Sequence, residues 1–422
     1  MERSPHNRRY LLLLVLASTG VPLLCWFCPR LLRVAGMGPI NHWFLDTHTV
    51  LGAIEANGKG LDAYSYNKIS EPHWYSHWWF GLDWAHLTQE DTRWAGPLVS
   101  ISAFVVAWIV TRPRNALELR WALLVLCSPP LILGFYRANV DLLLFSLLAL
   151  VVPAMLARPR FLRILGPPAL IALAAGLKYY PATAGLVLLA VRPLRDRIPA
   201  LLAAAGLLFL TAVSVAPDLI HYTNNAPISG FYTFGAPTLF VAAGLPPAAG
   251  PGLTLGFLVL AGWALLQRTG LRTWSPPAGL RTDYLGFILG AVILTGCFVT
   301  TVNYAYRWIF LVGMIPFLCR LDVARTHPEL HHLQVATRLL SAFALWSEVP
   351  IVTMLNHFEP TQEVANRWQD WSTGFTQIVT WSLFACLSGW LAHFMASQWQ
   401  GLPGGTLSRT QTDEAVMRAE TG

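Results

Sequence analysis

Residues 164–191 read ILGPPALIALAAGLKYYPATAGLVLLAV, an apolar run interrupted by Lys178-Tyr179-Tyr180-Pro181. Basic residues flank it on both sides: Arg158, Arg160 and Arg163 before, Arg192, Arg195 and Arg197 after. Arg and Lys collect in the cytoplasmic loops of membrane proteins, so the pattern predicts a chain that leaves one side and returns to it. Each limb would hold about 10 to 14 residues and reach about 15–21 Å at ~1.5 Å per residue. That is short of a hydrocarbon core of about 30 Å. The reading is a re-entrant hairpin or a pair of short broken helices with Lys178 at the tip. Irregular backbone at such depth survives only where it lines a protein cavity.

The rest of the chain agrees with a membrane setting. It is 55% hydrophobic and 12% charged, with a mean hydropathy of +0.48, which excludes a soluble protein of this length. Apolar runs of spanning length recur, and the short alternating segments of a β-barrel are absent. The fold class is therefore an all-α polytopic integral membrane protein. Basic loops thread it with both termini inside. Crossings are expected at about 10–27, 98–111, 121–135, 142–157, 198–216, 251–267, 283–301, 308–319, 333–355 and 372–397. That makes ten crossings plus the hairpin, in one membrane-embedded domain over 1–400. A large outer loop covers 28–97, and a polar, mobile cytoplasmic tail covers 401–422. The first apolar run lacks a small-x-small cleavage site and reads as a retained span rather than a signal peptide.

A net charge of +7 follows from those basic inner loops and implies no nucleic-acid partner. Cys25-Trp26-Phe27-Cys28 has metal or redox spacing but no second pair beside it. His73 and His77 are four apart with no nearby third ligand, so no metal is expected. No Walker-type or Rossmann glycine motif is present, which argues against direct nucleotide use.

The threading places Asp46, Arg137, Asp141, Lys178, Tyr179, Tyr180, Tyr304, Tyr306 and Arg307 on the outer side. Asp46 precedes a short amphipathic helix in which Val50, Leu51 and Ile54 share a face and which Gly58 and Gly60 stop. Several cations beside one carboxylate suit an anionic, phosphate-bearing ligand, because Arg forks onto phosphate oxygens and Lys supplies a point charge. Simpler roles stand beside these. Asp46 is in place to cap its helix; Arg137 and Asp141, four apart, can pair with each other; Arg307 can snorkel to the interface. The six tryptophans of the first outer loop (43, 74, 78, 79, 84, 94) fit a membrane interface.

Four patches resemble the polyprenyl-phosphate-sugar-dependent glycosyltransferases of family 87, of the GT-C membrane fold. They are Asp46 through Gly60-Leu61-Asp62-Ala63-Tyr64; Arg137-Ala138-Asn139-Val140-Asp141-Leu142-Leu143-Leu144; Gly176-Leu177-Lys178-Tyr179-Tyr180-Pro181; and Tyr306-Arg307-Trp308-Ile309-Phe310-Leu311. Their order and spacing fit over roughly 40–320. Tyr306-Arg307 departs from the His pair often found there in mannosyltransferases of this group. The resemblance implies an inverting transfer of mannose or a related sugar from a polyprenyl-phosphate donor to a lipid or glycan acceptor, at the outer face of the plasma membrane. Asp46 is the expected base. Lys178, Arg307, Tyr180 and Tyr306 are expected at the donor phosphate, with Arg137, Asn139, Asp141, Asp62 and Tyr64 in support. No cofactor is expected. A lipid transporter or flippase, or a non-catalytic envelope assembly protein, are the competing expectations.

Overall fold

The structure, a computed structural model, describes residues 5–28, 30–31, 43–225, 233–242, 250–358 and 361–400. Among them, eight helices are long and apolar enough to cross a membrane: Arg8–Cys25, Gln89–Thr111, Arg160–Leu177, Leu194–Asp218, Gly250–Arg268, Ala278–Thr300, Pro328–Leu355 and Asn366–Gln398. The chain is thus an all-α polytopic membrane protein. The strand pairing among the described residues is one short antiparallel contact, Thr233–Phe234 against Asn303–Tyr304. The expected tail at 401–422 lies outside the described residues, as do residue 359 of the last outer loop and parts of the loop 217–250.

Three expected crossings are broken rather than straight. Ala116–Leu126 and Pro129–Arg137 meet at a bend of 58°, because the prolines after Ser128 have no N–H to continue the ladder but suit a new first turn. The segment near 142–157 forms two short helices, Val140–Leu148 and Val151–Met155. The segment near 308–319 is a 3₁₀ stretch, Ala305–Met314, running into the Ile315–Arg320 helix. At the centre stands the Arg281–Thr300 helix, with Phe287, Ile288, Ile293, Leu294 and Phe298 among its buried residues. It packs against both the Tyr180–Ala190 and the Ala305–Met314 stretches. A helix that is apolar all round belongs in such a core position.

The limbs on either side of Lys178 are longer than the sequence suggests. The first limb is one helix, Arg160–Leu177, of 18 residues, or about 27 Å. The second limb, Tyr180–Ala190, is 3₁₀, and at ~2.0 Å per residue its run reaches about 22 Å. The expected short first limb is corrected for a physical reason. Arg160 and Arg163, counted as flanks, join the helix because they pair with Asp196 beyond the second limb, at 2.8 and 2.5 Å. The same ion pairs hold both ends of the hairpin on one side.

A second knot ties the same end of the bundle. Arg320 bonds Glu118 (2.9 Å), both oxygens of Asp283 (2.9 Å each), and the carbonyls of Thr111 and Arg112 (3.0 and 3.1 Å). All of these lie in segments threaded to the inner side. Reporter fusions at Arg160 and Arg195 are therefore expected to read the same, cytoplasmic, side, and a fusion at Thr233 the opposite one. Opposite readings at the two arginines would contradict the hairpin path.

Candidate functional site

The site begins with two helix starts. Phe44 lies in the left-handed region (φ 60°) ahead of the Leu45–Gly58 helix. Asp46 is therefore inside the first turn, where the helix dipole favours a carboxylate. Val50, Leu51 and Ile54 are buried on one face as expected, and the helix ends at Gly58 with Gly60 at positive φ. The second start is the turn 137–141. Ala138 (φ 44°) closes the Pro129–Arg137 helix, and Asn139 opens the next by accepting the Asp141 amide at 2.8 Å. Thr47 Oγ1 donates to the Ala138 carbonyl at 2.8 Å, and the Phe44 amide to that of Tyr136 at 3.0 Å. These bonds lock the two starts together.

That junction sets the partners of Asp46. Arg137 Nη2 donates to Oδ1 at 2.5 Å, and Nε lies 3.0 and 3.1 Å from the two oxygens. Asn139 Nδ2 donates to Oδ2. A carboxylate accepts about four hydrogen bonds. Three N–H groups make four contacts here, two on each oxygen, with Nε shared between them. Asp46 is 6% exposed, so it is nearly, but not wholly, enclosed.

Asp141 carries the other half. It is 0% exposed and receives Lys178 Nζ at 2.7 Å, Tyr180 Oη at 2.9 Å and Arg307 Nε at 3.3 Å. Lys178 ends the Arg160–Leu177 helix with extended backbone, and Arg307 belongs to the Ala305–Met314 stretch. Gly134 lets that stretch approach, since a Cβ there would lie 2.9 Å from Tyr306 Cβ. The Arg307 guanidinium lies 4.6 Å from the centre of the Tyr180 ring. Lys178 Nζ lies 5.2, 5.8 and 6.0 Å from the ring centres of Tyr75, Tyr180 and Tyr306. Such contacts suit desolvated cations. Arg137, Lys178 and Arg307 thus face Asp46 and Asp141, and the cluster keeps one net positive charge.

Several expectations are corrected. Asp46 does not cap its helix: Phe44 holds the cap position, and no side-chain cap bond forms there. Arg137 pairs with Asp46 rather than Asp141. Arg307 is buried on Asp141 rather than snorkelling. Asp62 stays local, accepting from the Tyr64 amide and Ser65. Tyr64 donates to Asp218 at 2.8 Å instead of joining the carboxylates. His77 also binds Asp218, through Nδ1 at 2.8 Å. Among the described residues no His, Cys, Asp or Glu group could hold a metal. Trp84 is exposed, as an interface tryptophan would be, but Trp78 and Trp79 turn inward.

Sequence reasoning missed the segment 73–79, which docks on the end of the Lys178 helix. Ser76 Oγ donates to the Gly176 carbonyl and Trp79 Nε1 to that of Leu177 at 3.2 Å. These carbonyls have no intrahelical donor at a helix end. A Cβ on Gly176 would overlap the Trp78 ring. The same segment seals His73, whose burial pulls its pKa down to about 4. Ser76 before His77-Trp78-Trp79 is a helix-cap signal readable in the sequence; no local pattern points to its docking partner.

No family model, curated protein or solved structure matches this chain.

The Asp141 cluster makes a stability prediction. Asp141→Asn leaves two buried cations without their counter-charge, at a cost of about 3–5 kcal/mol. Thermal unfolding in detergent is expected to show it, and Lys178→Met in the same chain is expected to restore part of the loss. Additive effects in this double-mutant cycle would contradict the pairing.

Proposed function

We propose that the protein is an inverting glycosyltransferase that moves a sugar, mannose or a related hexose, from a polyprenyl-phosphate donor to a lipid or glycan acceptor. The reading places this chemistry at the outer face of the plasma membrane. One observation carries it: a nearly but not wholly enclosed carboxylate, Asp46, lies in a cluster with a net positive charge. The two carboxylates divide the work. Asp141, fully buried and bonded to Lys178, Tyr180 and Arg307, holds the cations in place. Asp46 is the one with access.

In this mechanism the acceptor hydroxyl oxygen attacks the anomeric carbon. Asp46 takes the hydroxyl proton, and the bond from that carbon to the phosphate oxygen breaks with its electron pair on the phosphate. Lys178 and Arg307 stabilise the departing anion, with Tyr306 as a further donor. Arg137 and Asn139 fix the orientation of the Asp46 carboxylate.

The test is paired on purified protein: binding of a polyprenyl-phosphate sugar, and its transfer. Asp46→Asn is expected to keep donor binding while turnover falls by about two to four orders of magnitude. Its melting temperature is followed alongside, because the change also weakens the bond to Arg137. A transporter of the same lipid would keep moving it in this variant. The base assignment is falsified if Asp46→Asn transfers sugar at the parent rate.

A further inference from the structure

We propose that Tyr75 is a ligand-binding residue of this site, its phenol donating a hydrogen bond to the anionic head group that Lys178 and Arg307 attract. This inference rests on the phosphate-bearing lipid donor proposed above and adds a contact from the first loop.

Geometry supports it from three directions. The Tyr75 ring stands over Lys178 Nζ at 5.2 Å, on the cation that bonds Asp141. Its neighbour His73 meets the ring edge-on at 5.5 Å and fixes its tilt. The backbone on its C-terminal side is anchored residue by residue. Ser76 bonds Gly176, the His77 amide and Nδ1 bond Asp218 at 3.0 and 2.8 Å, Trp78 Nε1 bonds Ser214 at 3.0 Å, and Trp79 bonds Leu177. A side chain at the head of so many anchors is pre-organised, which lowers the ordering cost of a contact.

The electrostatics fit a donor that keeps its proton. Asp46, Asp141, Arg137 and Arg307 all act on the Tyr75 phenol, so it is within electrostatic reach of both carboxylates. Burial, then Asp46 and Asp141, push its pKa well up. Tyr180 differs, since its hydroxyl is committed to Asp141. Among the described residues the Tyr75 hydroxyl makes no hydrogen bond. A phosphate oxygen near Lys178 would supply the acceptor.

The experiment uses the full chain in lipid nanodiscs with three probes: a fluorescent polyprenyl monophosphate, the matching uncharged polyprenol, and inorganic phosphate as competitor. Tyr75→Phe keeps the ring over Lys178 and removes only the hydroxyl. Its affinity for the monophosphate is expected to fall about tenfold or more, with polyprenol binding and melting temperature unchanged. Competition by inorganic phosphate at millimolar levels would assign recognition to the free anion; its failure would assign it to the lipid-borne one. Either result keeps the Tyr75 contact. Equal monophosphate affinity in parent and Tyr75→Phe overturns this inference alone. Equal loss for polyprenol and monophosphate also overturns it, since the hydroxyl would then shape the site without reading the charge. If the parent protein binds no polyprenyl monophosphate, the donor reading itself fails and the Tyr75 contact falls with it.

Discussion

A single buried carboxylate organises the polar half of this molecule. Asp141 has no exposed surface, yet it receives an ammonium, a phenol and a guanidinium from two segments far apart in the chain. Taking these charges out of water is costly unless each is paired in good geometry. Three bonds converging on Asp141 meet that demand, and they bring the end of the Lys178 helix to the Ala305–Met314 stretch. The Asp141 amide in turn bonds Asn139, whose side chain also reaches Asp46. The two carboxylates are therefore one mechanical unit, and a shift at either is felt at the other through one asparagine.

Much of the frame was legible in the sequence. The spacing of Val50, Leu51 and Ile54 marks the buried face of the first-loop helix, because apolar periodicity follows directly from burial. Lys178 ends its helix where the apolar run breaks. Segments threaded to the inner side by their arginines meet there in space, through Arg320 and Asp196. The length of the limbs around Lys178 was not legible. Pro167 and Pro168 sit inside a helix, and two arginines taken as a flank enter it once Asp196 neutralises them.

Partner choice in the site was harder still. A pair four apart bonds across a helix face only if both residues share one helix. Ala138 in the left-handed region and Asn139 at a cap turn the chain between Arg137 and Asp141, so the guanidinium points to Asp46 instead. Likewise the sequence puts Asp46 in place to cap a helix, but the left-handed Phe44 takes the cap two residues upstream. Such outcomes depend on single backbone dihedrals, which composition and spacing do not encode. The docking of residues 73–79 is tertiary in the same sense. Ser76 and Trp79 answer carbonyls a hundred residues away, and only the folded chain shows which ones.

The Arg320 knot has a mechanical corollary for the opposite end of the bundle. One guanidinium grips Glu118, Asp283 and two backbone carbonyls, which staples three helical segments at a common point. With one end stapled, these segments can separate only by splaying like the pages of a bound book, widest at the free edge and least at the spine. Any movement between them is then graded along its length, smallest beside Arg320 and growing toward the far ends of the helices.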